Sequence, residues 1–423
     1  MLAVLIAAYI LAFVDRQILS LFVQPIKRDL GLTDIEVSII QGLSFAIFMC
    51  LAGIPVGRMA DTHRRTRMLA VGVFLWSVST AGCGFAGSFG LLLLCRICVG
   101  VGEAVMTPAA YSLIGDSFRL NRQGLAIGIY TLGAYIGSGG AMVFGGTMIH
   151  ALPAHVMLGN FGAFHGWQLV FLFLLAPGLA ISALLALLPE PARGPSGIVE
   201  GTPSKRNDFD WFKSRLGALV PLMGMAGFST MTQYGLLAWA PAFYQRSFGL
   251  TTEVVGSRIG VIIMIFGSAG AVASGVLGDF MVHLSVHGRL LVSIIAATFA
   301  LPLLIGSVIA PDVSTSMVLF AGGFLFLTML VTSAPALLQQ VTPSRIRGLN
   351  TALFALVINM MGLGLGPTVV AVVTQSFLHD EARLGTALAM VIPSTLVLVI
   401  ACALLTIRRF SAFEVQQSRP TPG

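Results

Sequence analysis

Twelve long apolar runs, separated by short stretches of charge, glycine and proline, constrain this chain more than any other feature. They cover residues 2–24, 35–60, 67–87, 90–115, 122–150, 167–188, 214–246, 253–282, 289–310, 315–341, 347–377 and 384–407. Each exceeds the roughly 20 residues that a helix needs to cross a bilayer. Only 10% of the 423 residues are charged and 56% are hydrophobic, a balance that a soluble fold of this length does not accommodate. We predict an all-α polytopic membrane protein with twelve transmembrane helices.

The basic residues predict how these helices are oriented. With both termini in the cytoplasm, sixteen of the 24 Lys and Arg residues fall in cytoplasmic segments. They are Arg64, Arg65, Arg67, Arg119, Arg122, Arg193, Lys205, Arg206, Lys213, Arg215, Arg289, Arg345, Arg347, Arg408, Arg409 and Arg419. Only Lys27, Arg28, Arg246 and Arg383 fall on the other side, which is a clear positive-inside pattern. We expect a multi-pass protein of the plasma or bacterial inner membrane, whose first run is retained as a helix because it lacks a cleavage signal.

The chain divides into two halves that echo each other. Residues 190–213 are rich in proline, glycine and charge, and we predict a cytoplasmic linker between six-helix bundles at 1–189 and 214–410, with a cytoplasmic tail at 411–423. Gly57 and Asp61 recur 218 residues later as Gly275 and Asp279. The same offset relates Asp15 to Gln233 in the seventh run. Two parallel six-helix halves are typical of transporters with a substrate site near the midplane.

Two motifs resemble those of the major facilitator superfamily. "GRMADTHRRTRML", from Gly57 to Leu69, resembles its loop signature between the second and third helices, apart from Thr62 and Arg64. Arg96, Gly100, Gly102 and Glu103 resemble its fourth-helix motif. The resemblance implies a close helix approach at Gly57 and a contact of Asp61 with the start of the eleventh helix near Arg347 and Gly348. The conformational gate that it implies comprises Gly57, Asp61, Arg65, Arg96 and Asp279.

Within that superfamily, two further stretches resemble the spinster family. They are "FVDRQILS" in the first run and "RICVGVGEAVMTPAAYSLIGDSF" from Arg96 to Phe118. The resemblance implies a proton-coupled carrier of lysophospholipids or sphingoid phosphates that works by rocker-switch alternating access. Organic-anion:proton symporters of the same superfamily share the Asp-Arg pair and the fourth-helix glutamate, so a small organic anion is the alternative substrate.

Charges inside apolar runs indicate where the chemistry lies. Asp15 and Arg16 stand in the first run, and Arg96, Gly100, Glu103 and Thr107 follow steps of four, three and four along one face of the fourth. Because lipid cannot solvate these groups, they should face a water-filled cavity. We expect Asp15 and Glu103 to exchange protons, and Arg16, Glu103 and Thr107 to bind the substrate head group. The alternative is a buried ion pair that only fixes packing.

The seventh run supplies the apolar counterpart. Met231, Gln233, Tyr234 and Trp239 either pack the protein interior or form an adaptable wall for an acyl chain. A charged pole in one half and an apolar wall in the other suit an amphipathic substrate.

Other function classes find little support. The five cysteines lie in apolar runs and the seven histidines are scattered, so we expect no metal and no cofactor. Ser112 and Ser138 have no histidine at helical spacing, which argues against an enzyme. The repeat disfavours a channel, and the basic residues are topological and do not predict binding to nucleic acid. We expect a monomer whose partners are protons, the bilayer and a lipid-like or organic-anion substrate.

Overall fold

The computed structural model describes residues 1–153, 155–157, 163–191, 205–284, 287–342 and 346–417. Helices account for nearly all of them, as the apolar runs predict. The α-helices are α1 Leu2–Leu21, α2 Val23–Leu30, α3 Asp34–Ser38, α4 Ser44–Thr62, α5 Arg65–Gly84, α6 Phe89–Glu103, α7 Met106–Ser117, α8 Leu120–Ala151, α9 Gly166–Phe173, α10 Leu175–Leu187, α11 Lys205–Phe248, α12 Thr252–Ile262, α13 Ser268–Leu284, α14 Gly288–Ile309, α15 Val313–Val341, α16 Arg347–Ile358, α17 Gly366–Val372 and α18 Leu384–Gln417. Strands β1 His155–Met157 and β2 Ala163–His165 form an antiparallel hairpin that pairs His155 with His165.

Eleven helical spans among the described residues are long and apolar enough to cross a membrane. They are Leu2–Leu21, Asp34–Ala60, Arg65–Gly84, Phe89–Ser117, Arg122–Ala151, Gly166–Leu187, Thr252–Leu284, Gly288–Ile309, Val313–Gln339, Asn350–Phe377 and Glu381–Arg409. They coincide with eleven of the twelve expected runs. The remaining run, 214–246, lies within the 44-residue helix α11, whose polar residues make it less apolar than the others. The all-α, multi-pass architecture is therefore confirmed.

Capping residues determine where several of these spans begin. Thr33 and Glu36 form a reciprocal capping box at the start of α3. Ser88, Thr251 and Asp312 cap α6, α12 and α15 by accepting hydrogen bonds from backbone N–H groups in the first turn. These caps satisfy donors that the helix itself leaves unpaired, so the turns between spans can be short.

Several spans contain π-helical turns that hydrophobic periodicity does not predict. They are Ile39–Leu43, Ile263–Gly267, Asn359–Leu365 and Val373–Phe377. A π-helical turn shifts every later side chain around the helix axis and is frequent at functional sites.

The chain forms two compact units, and the first contains residues 1–196, 235–268 and 367–387. Inside this unit, glycines on α8 allow close helix packing. A Cβ atom added at Gly137 would lie 2.4 Å from the carbonyl oxygen of Ile10 on α1. One added at Gly139 would lie 2.3 Å from the carbonyl oxygen of Gly260 on α12. These positions therefore bring α1 and α12 against α8, although α12 comes from the second half of the sequence.

The second unit contains residues 197–234, 269–366 and 388–423. Its core includes the antiparallel pair α14 and α15, joined by a hydrogen bond of 2.7 Å between the Ser293 and Ser333 hydroxyl groups. Phe320 and Phe324, both on α15, are buried, and their rings stack on each other with centroids 5.9 Å apart. The predicted boundaries of the two bundles, linker and tail stay a prediction, and residues 192–204 and 418–423 lie outside the described part of the chain.

Candidate functional site

An ion pair in the membrane-spanning part of the first unit joins α1 to the end of α6. Nε of Arg16 donates to Oε2 of Glu103 over 2.5 Å. The Glu103 side chain has no exposed surface and that of Arg16 is 14% exposed. Each charge makes the other tolerable at a depth where an isolated charge would be costly.

Aromatic rings hold the Arg16 guanidinium in place. Phe13 precedes Arg16 by three residues on α1, so both share a helix face, and the guanidinium carbon lies 4.9 Å from the ring centroid. The same carbon lies 5.1 Å from the centroid of Phe45 on α4. Nη2 of Arg16 also contacts the Met49 sulfur at 3.7 Å. The cation therefore has an apolar, polarisable surrounding that favours it through cation–π attraction.

Asp15 occupies a different environment from Arg16, because adjacent helical residues point about 100° apart. Its side chain is 1% exposed, and neither carboxylate oxygen has a hydrogen-bond partner among the described residues. Arg96 on α6 bonds to the backbone of Asp15 instead, with Nη1 donating to the carbonyl oxygen over 3.1 Å. Nε and Nη2 of Arg96 and Oε1 of Glu103 likewise have no partner among the described residues. The structure thus brings Asp15, Arg16, Arg96 and Glu103 together, with balanced formal charges and spare hydrogen-bonding capacity.

Thr107 is placed differently from the other members of the fourth span. Helix α6 ends at Glu103 and α7 begins at Met106, so the continuous helical face expected from Arg96 to Thr107 is interrupted. Thr107 itself is exposed on α7. A role in binding the substrate stays a prediction.

A tyrosine cluster beside Arg16 was not predicted. Tyr9, two turns before Arg16 on α1, stacks on Tyr130 of α8 with ring centroids 4.2 Å apart. Tyr111 of α7 meets Tyr130 edge-on at 5.8 Å. The spacing of Tyr9 and Arg16 along α1 could be read from the sequence. The packing of Tyr130 on α8 and Tyr111 on α7 against Tyr9 could not, because a single sequence carries no signal of which helices meet.

The residues expected to form an apolar wall lie in both units. In the second unit, Met231 and Gln233 are buried, Nε2 of Gln233 has no partner among the described residues, and Tyr234 is partly exposed. In the first unit, Trp239 is fully buried and its Nε1 donates to the Pro367 carbonyl oxygen over 2.8 Å. Trp239 is therefore anchored by packing and a hydrogen bond.

The residues expected to form the conformational gate lie in different surroundings in the structure. A Cβ atom added at Gly57 would meet no atom of the described residues within 4 Å, so this structure shows no close helix approach there, and the gate role of Gly57 stays a prediction. The surroundings of Asp61, Arg347 and Gly348 lie outside the described part of the structure, and the contact between them stays a prediction. Asp279 accepts a 2.7 Å hydrogen bond from Arg289.

Arg65 holds the start of α5 against the end of α10 and against α7. Its buried guanidinium donates to Oε1 of Glu190 and to the Ser112 hydroxyl, both over 2.7 Å, and pairs with Asp116. Partial burial opposes ionisation of Glu190, yet hydrogen bonds from the Thr66 N–H and from Arg65 lower the pKa of Glu190 below its ordinary value. The contact therefore stays charged at neutral pH.

A second charged cluster, which we name the Asp34 cluster, comprises Lys27, Asp34, Arg246 and Glu381 in the first unit. Asp34 is fully buried, and Arg246 binds both of its oxygens, with Nη1–Oδ2 at 2.8 Å and Nη2–Oδ1 at 2.7 Å. Lys27 pairs with Asp34 and with Oε2 of Glu381, the latter over 2.6 Å. The cluster ties segments from both halves of the sequence. Lys27 and Arg246 were noted only for topology, because the sequence does not show which acids they meet.

Neither the site nor its surroundings suggest a metal. Among the residues that the structure describes, no group of three or more His, Cys, Asp or Glu side chains could hold an ion.

Comparison with known families assigns the chain to a superfamily. The sequence profile of the Major Facilitator Superfamily matches residues 5–367, and the chain belongs to this superfamily. It is 24% identical over 417 residues to an MFS-type efflux pump of Mycolicibacterium smegmatis, covering 97% of this chain and 92% of the pump. It is also 24% identical to the protein spinster of Drosophila melanogaster, covering 86% of this chain and 60% of that relative's length.

Structural comparison gives the same fold. A bacterial homolog of the human lysosomal transporter spinster, in an inward-facing and unoccupied conformation, matches with a TM-score of 0.83 and 24% identity. The match covers 100% of this chain and 98% of the homolog. The resemblance to spinster-like members of the superfamily and the twelve-helix fold are confirmed. The protein is a secondary transporter in a membrane, with a small-molecule substrate, and is not an enzyme.

The Asp34 cluster generates a first prediction. Asp34→Asn removes the anion that faces Lys27 and Arg246, and breaking a buried ion pair in this way costs about 3–5 kcal/mol. We expect the segments that carry these cations to separate. Spin labels at the exposed positions Arg28 and Ser247, in a variant without the five native cysteines, should then show a longer distance population by pulsed electron resonance.

Asp380→Asn is the matched control, because Asp380 is half-exposed and meets Arg383 only at 3.7 Å. It should leave the distances unchanged. An unaltered distance distribution in Asp34→Asn would show that the cluster does not hold these segments together.

Proposed function

We propose that this protein is a proton-coupled transporter that works by alternating access and moves an amphipathic anionic or zwitterionic lipid, such as a lysophospholipid or a sphingoid phosphate. The observation that carries the proposal is the 2.5 Å pair between Arg16 and Glu103 inside a span, beside the Asp15 carboxylate, for which the described residues provide no hydrogen-bond partner.

The free-energy cost of burying a charged carboxylate is the basis for proposing proton coupling. A carboxyl group out of water is stable when a cation compensates it or when it binds a proton. Glu103 has such a cation in Arg16, whereas Asp15 has no hydrogen bond to its oxygens from the described residues. A change in water access or in the cations nearby therefore changes the protonation of these two groups first.

Substrate coupling follows from competition for Arg16. A guanidinium binds a phosphate or carboxylate through two parallel hydrogen bonds. A substrate anion that takes this position displaces Glu103, which then holds its charge without a partner and takes up a proton. Binding of the substrate and binding of a proton thereby become linked.

The surroundings of Arg16 support an amphipathic substrate. Phe13, Phe45 and Met49 surround the cation with apolar surface, so a ligand that reaches it leaves water as well. We propose that Glu103 and Thr107 contact the head group, and that Met231, Gln233, Tyr234 and Trp239 contribute to binding the apolar chain.

The proposal also includes the gate residues, the orientation of the chain in its membrane and its oligomeric state. We propose that Gly57, Asp61, Arg65, Arg96 and Asp279 control the change between states. Arg65 and Asp279 support this through their ion pairs with residues of neighbouring helices. We also propose cytoplasmic termini, the plasma or bacterial inner membrane as the location, and a monomeric state.

The proton-coupling groups give a second prediction. Asp15→Asn and Glu103→Gln keep the shape of each side chain and remove its titration. We expect each variant, reconstituted in liposomes, to lose most of the dependence of lysophospholipid uptake on an imposed pH gradient. Asp312→Asn, a change at an exposed helix cap, should keep that dependence. Unchanged pH dependence in both variants and in the double variant would disprove proton coupling at this site.

Arg16 gives a third prediction. Arg16→Lys keeps the charge but cannot form the planar pair of hydrogen bonds, so we expect it to transport as poorly as Arg16→Ala. Binding by the wild type should strengthen with acyl length, by about 0.8 kcal/mol for each buried methylene. If Arg16→Lys keeps its activity and only shifts the pH optimum, Arg16 tunes the acid and does not bind the substrate. If a small hydrophilic anion binds as tightly as any lipid, with no dependence on chain length, the substrate is an organic anion.

A further inference from the structure

Gln41 is a buried glutamine whose side-chain amide has no hydrogen-bond partner in the part of the chain that the structure describes. It is 6% exposed, and both Nε2 and Oε1 are unpaired there. The other buried glutamines among the described residues of the first unit use their amides. Nε2 of Gln17 donates to the Leu237 carbonyl oxygen over 2.9 Å, and Oε1 of Gln168 accepts from the His165 N–H over 2.8 Å. Because an unpaired buried amide costs free energy, a glutamine at position 41 calls for a function.

Gln41 lies at the junction of the three helices that form the ion-pair site. It is the central residue of the π-helical turn Ile39–Leu43, which directly precedes α4. This turn packs against α1 and α6, the helices that carry Arg16 and Glu103. A π-helical turn widens the helix locally and is frequent at functional sites. The buried amide is therefore enclosed by the same elements as the ion pair.

The side chains that follow Gln41 on the same helix face surround Arg16. Phe45 and Met49 come four and eight residues later, each about one turn further on. The Phe45 ring centroid lies 5.1 Å from the Arg16 guanidinium carbon, and the Met49 sulfur lies 3.7 Å from Nη2. A Cβ atom added at Gly100 of α6 would lie only 2.9 Å from the Phe45 carbonyl oxygen, so α4 and α6 are in close contact here. Gln41 is thus about one turn, or about 5.4 Å along the axis, from the residue that touches the cation.

This separation suits the head group of a lysophospholipid. Such a lipid carries a free hydroxyl on the central glycerol carbon, next to the carbon that bears the phosphate ester. With the phosphate bound to Arg16, the hydroxyl comes within reach of a side chain one turn away. A hydroxyl can pair with either atom of the Gln41 amide, because it both donates and accepts. The ammonium group that a sphingoid phosphate carries at the equivalent carbon can pair only with Oε1.

We infer that Gln41 is a further substrate-binding residue, which recognises the free hydroxyl of a lysophospholipid whose phosphate is held by Arg16. This assignment rests on the proposed function, and it adds a residue of the second span, where the sequence predicts no substrate contact. The amide atoms are enclosed in this conformation, so the ligand meets them when α1 and α4 separate beside Arg16, whose side chain is already 14% exposed. Pairing with the hydroxyl then recovers the free energy that the unpaired amide costs the empty protein.

Competition binding to the purified protein in detergent tests the role of Gln41. The probe is radiolabelled oleoyl lysophosphatidic acid, and the competitors are the unlabelled lipid and its deoxy analogue, which lacks only the hydroxyl. Because the acyl chains are identical, their apolar contribution cancels. We expect the wild type to bind the analogue about tenfold more weakly. Gln41→Met and Gln41→Leu should bind both lipids equally, with the affinity that the wild type has for the analogue.

Thermal unfolding without lipid provides a second measurement, in which a merely structural role has the opposite effect. Replacing an unpaired buried amide by an apolar side chain removes an unsatisfied group, so both Gln41 variants should melt at or above the wild-type temperature. Gln168→Leu is the matched control, because the Gln168 amide is already bonded to the protein at both of its atoms. It should lower the melting temperature and keep the tenfold preference for the hydroxyl.

The outcomes separate this role from the function on which it rests. If the wild type binds both lipids equally, or if a folded Gln41 variant keeps the tenfold preference, Gln41 does not recognise the hydroxyl, while the proposed lipid substrate stands. A lower melting temperature in both Gln41 variants, or loss of the preference in Gln168→Leu, would assign the effect to packing and overturn the role. If the wild type does not bind lysophosphatidic acid, the proposed substrate fails, and the role of Gln41 fails with it.

Discussion

A guanidinium inside a membrane needs an anion, and the pair between Arg16 and Glu103 satisfies that need over 2.5 Å. The arrangement around it follows from this requirement. Phe13 and Phe45 flank the cation because a ring face attracts positive charge without adding another polar group to the interior. Arg96 bonds to the Asp15 backbone from the same helix that carries Glu103. A site whose charges balance but whose hydrogen bonds are incomplete is suited to exchange a partner, which a transporter must do.

The Asp34 cluster differs from this site in how its buried aspartate is hydrogen-bonded. Asp34 is fully buried like Asp15, yet it accepts hydrogen bonds from Arg246 at both oxygens and from Lys27 as well. Its hydrogen-bonding capacity is used, so it fixes the position of the segments that it joins. Two buried aspartates in the same unit thus differ in their partners. One joins chain segments through its ion pairs, and the other is the group that, in our proposal, binds a proton.

Much of the fold was predictable, since a bilayer imposes length and polarity on each span. The apolar runs place eleven spans within a few residues, and the charges within those runs indicate that Asp15, Arg16, Arg96 and Glu103 face a cavity. That they meet in one site is a finding of the structure. The break between α6 and α7, which separates Thr107 from that face, was missed because periodicity assumes a regular helix. The Asp34 cluster was missed for another reason. Its significance depends on which helices are adjacent, and one sequence alone carries no record of that.

The central claim is that a substrate anion displaces Glu103 from Arg16 and so obliges it to bind a proton. The most direct test adds a lysophospholipid to the purified protein in weakly buffered detergent and follows the pH with an indicator dye. The account predicts uptake of about one proton for each lipid bound by the wild type, and none in Glu103→Gln. Binding of the lipid without proton uptake, or with the same uptake in Glu103→Gln, would contradict it.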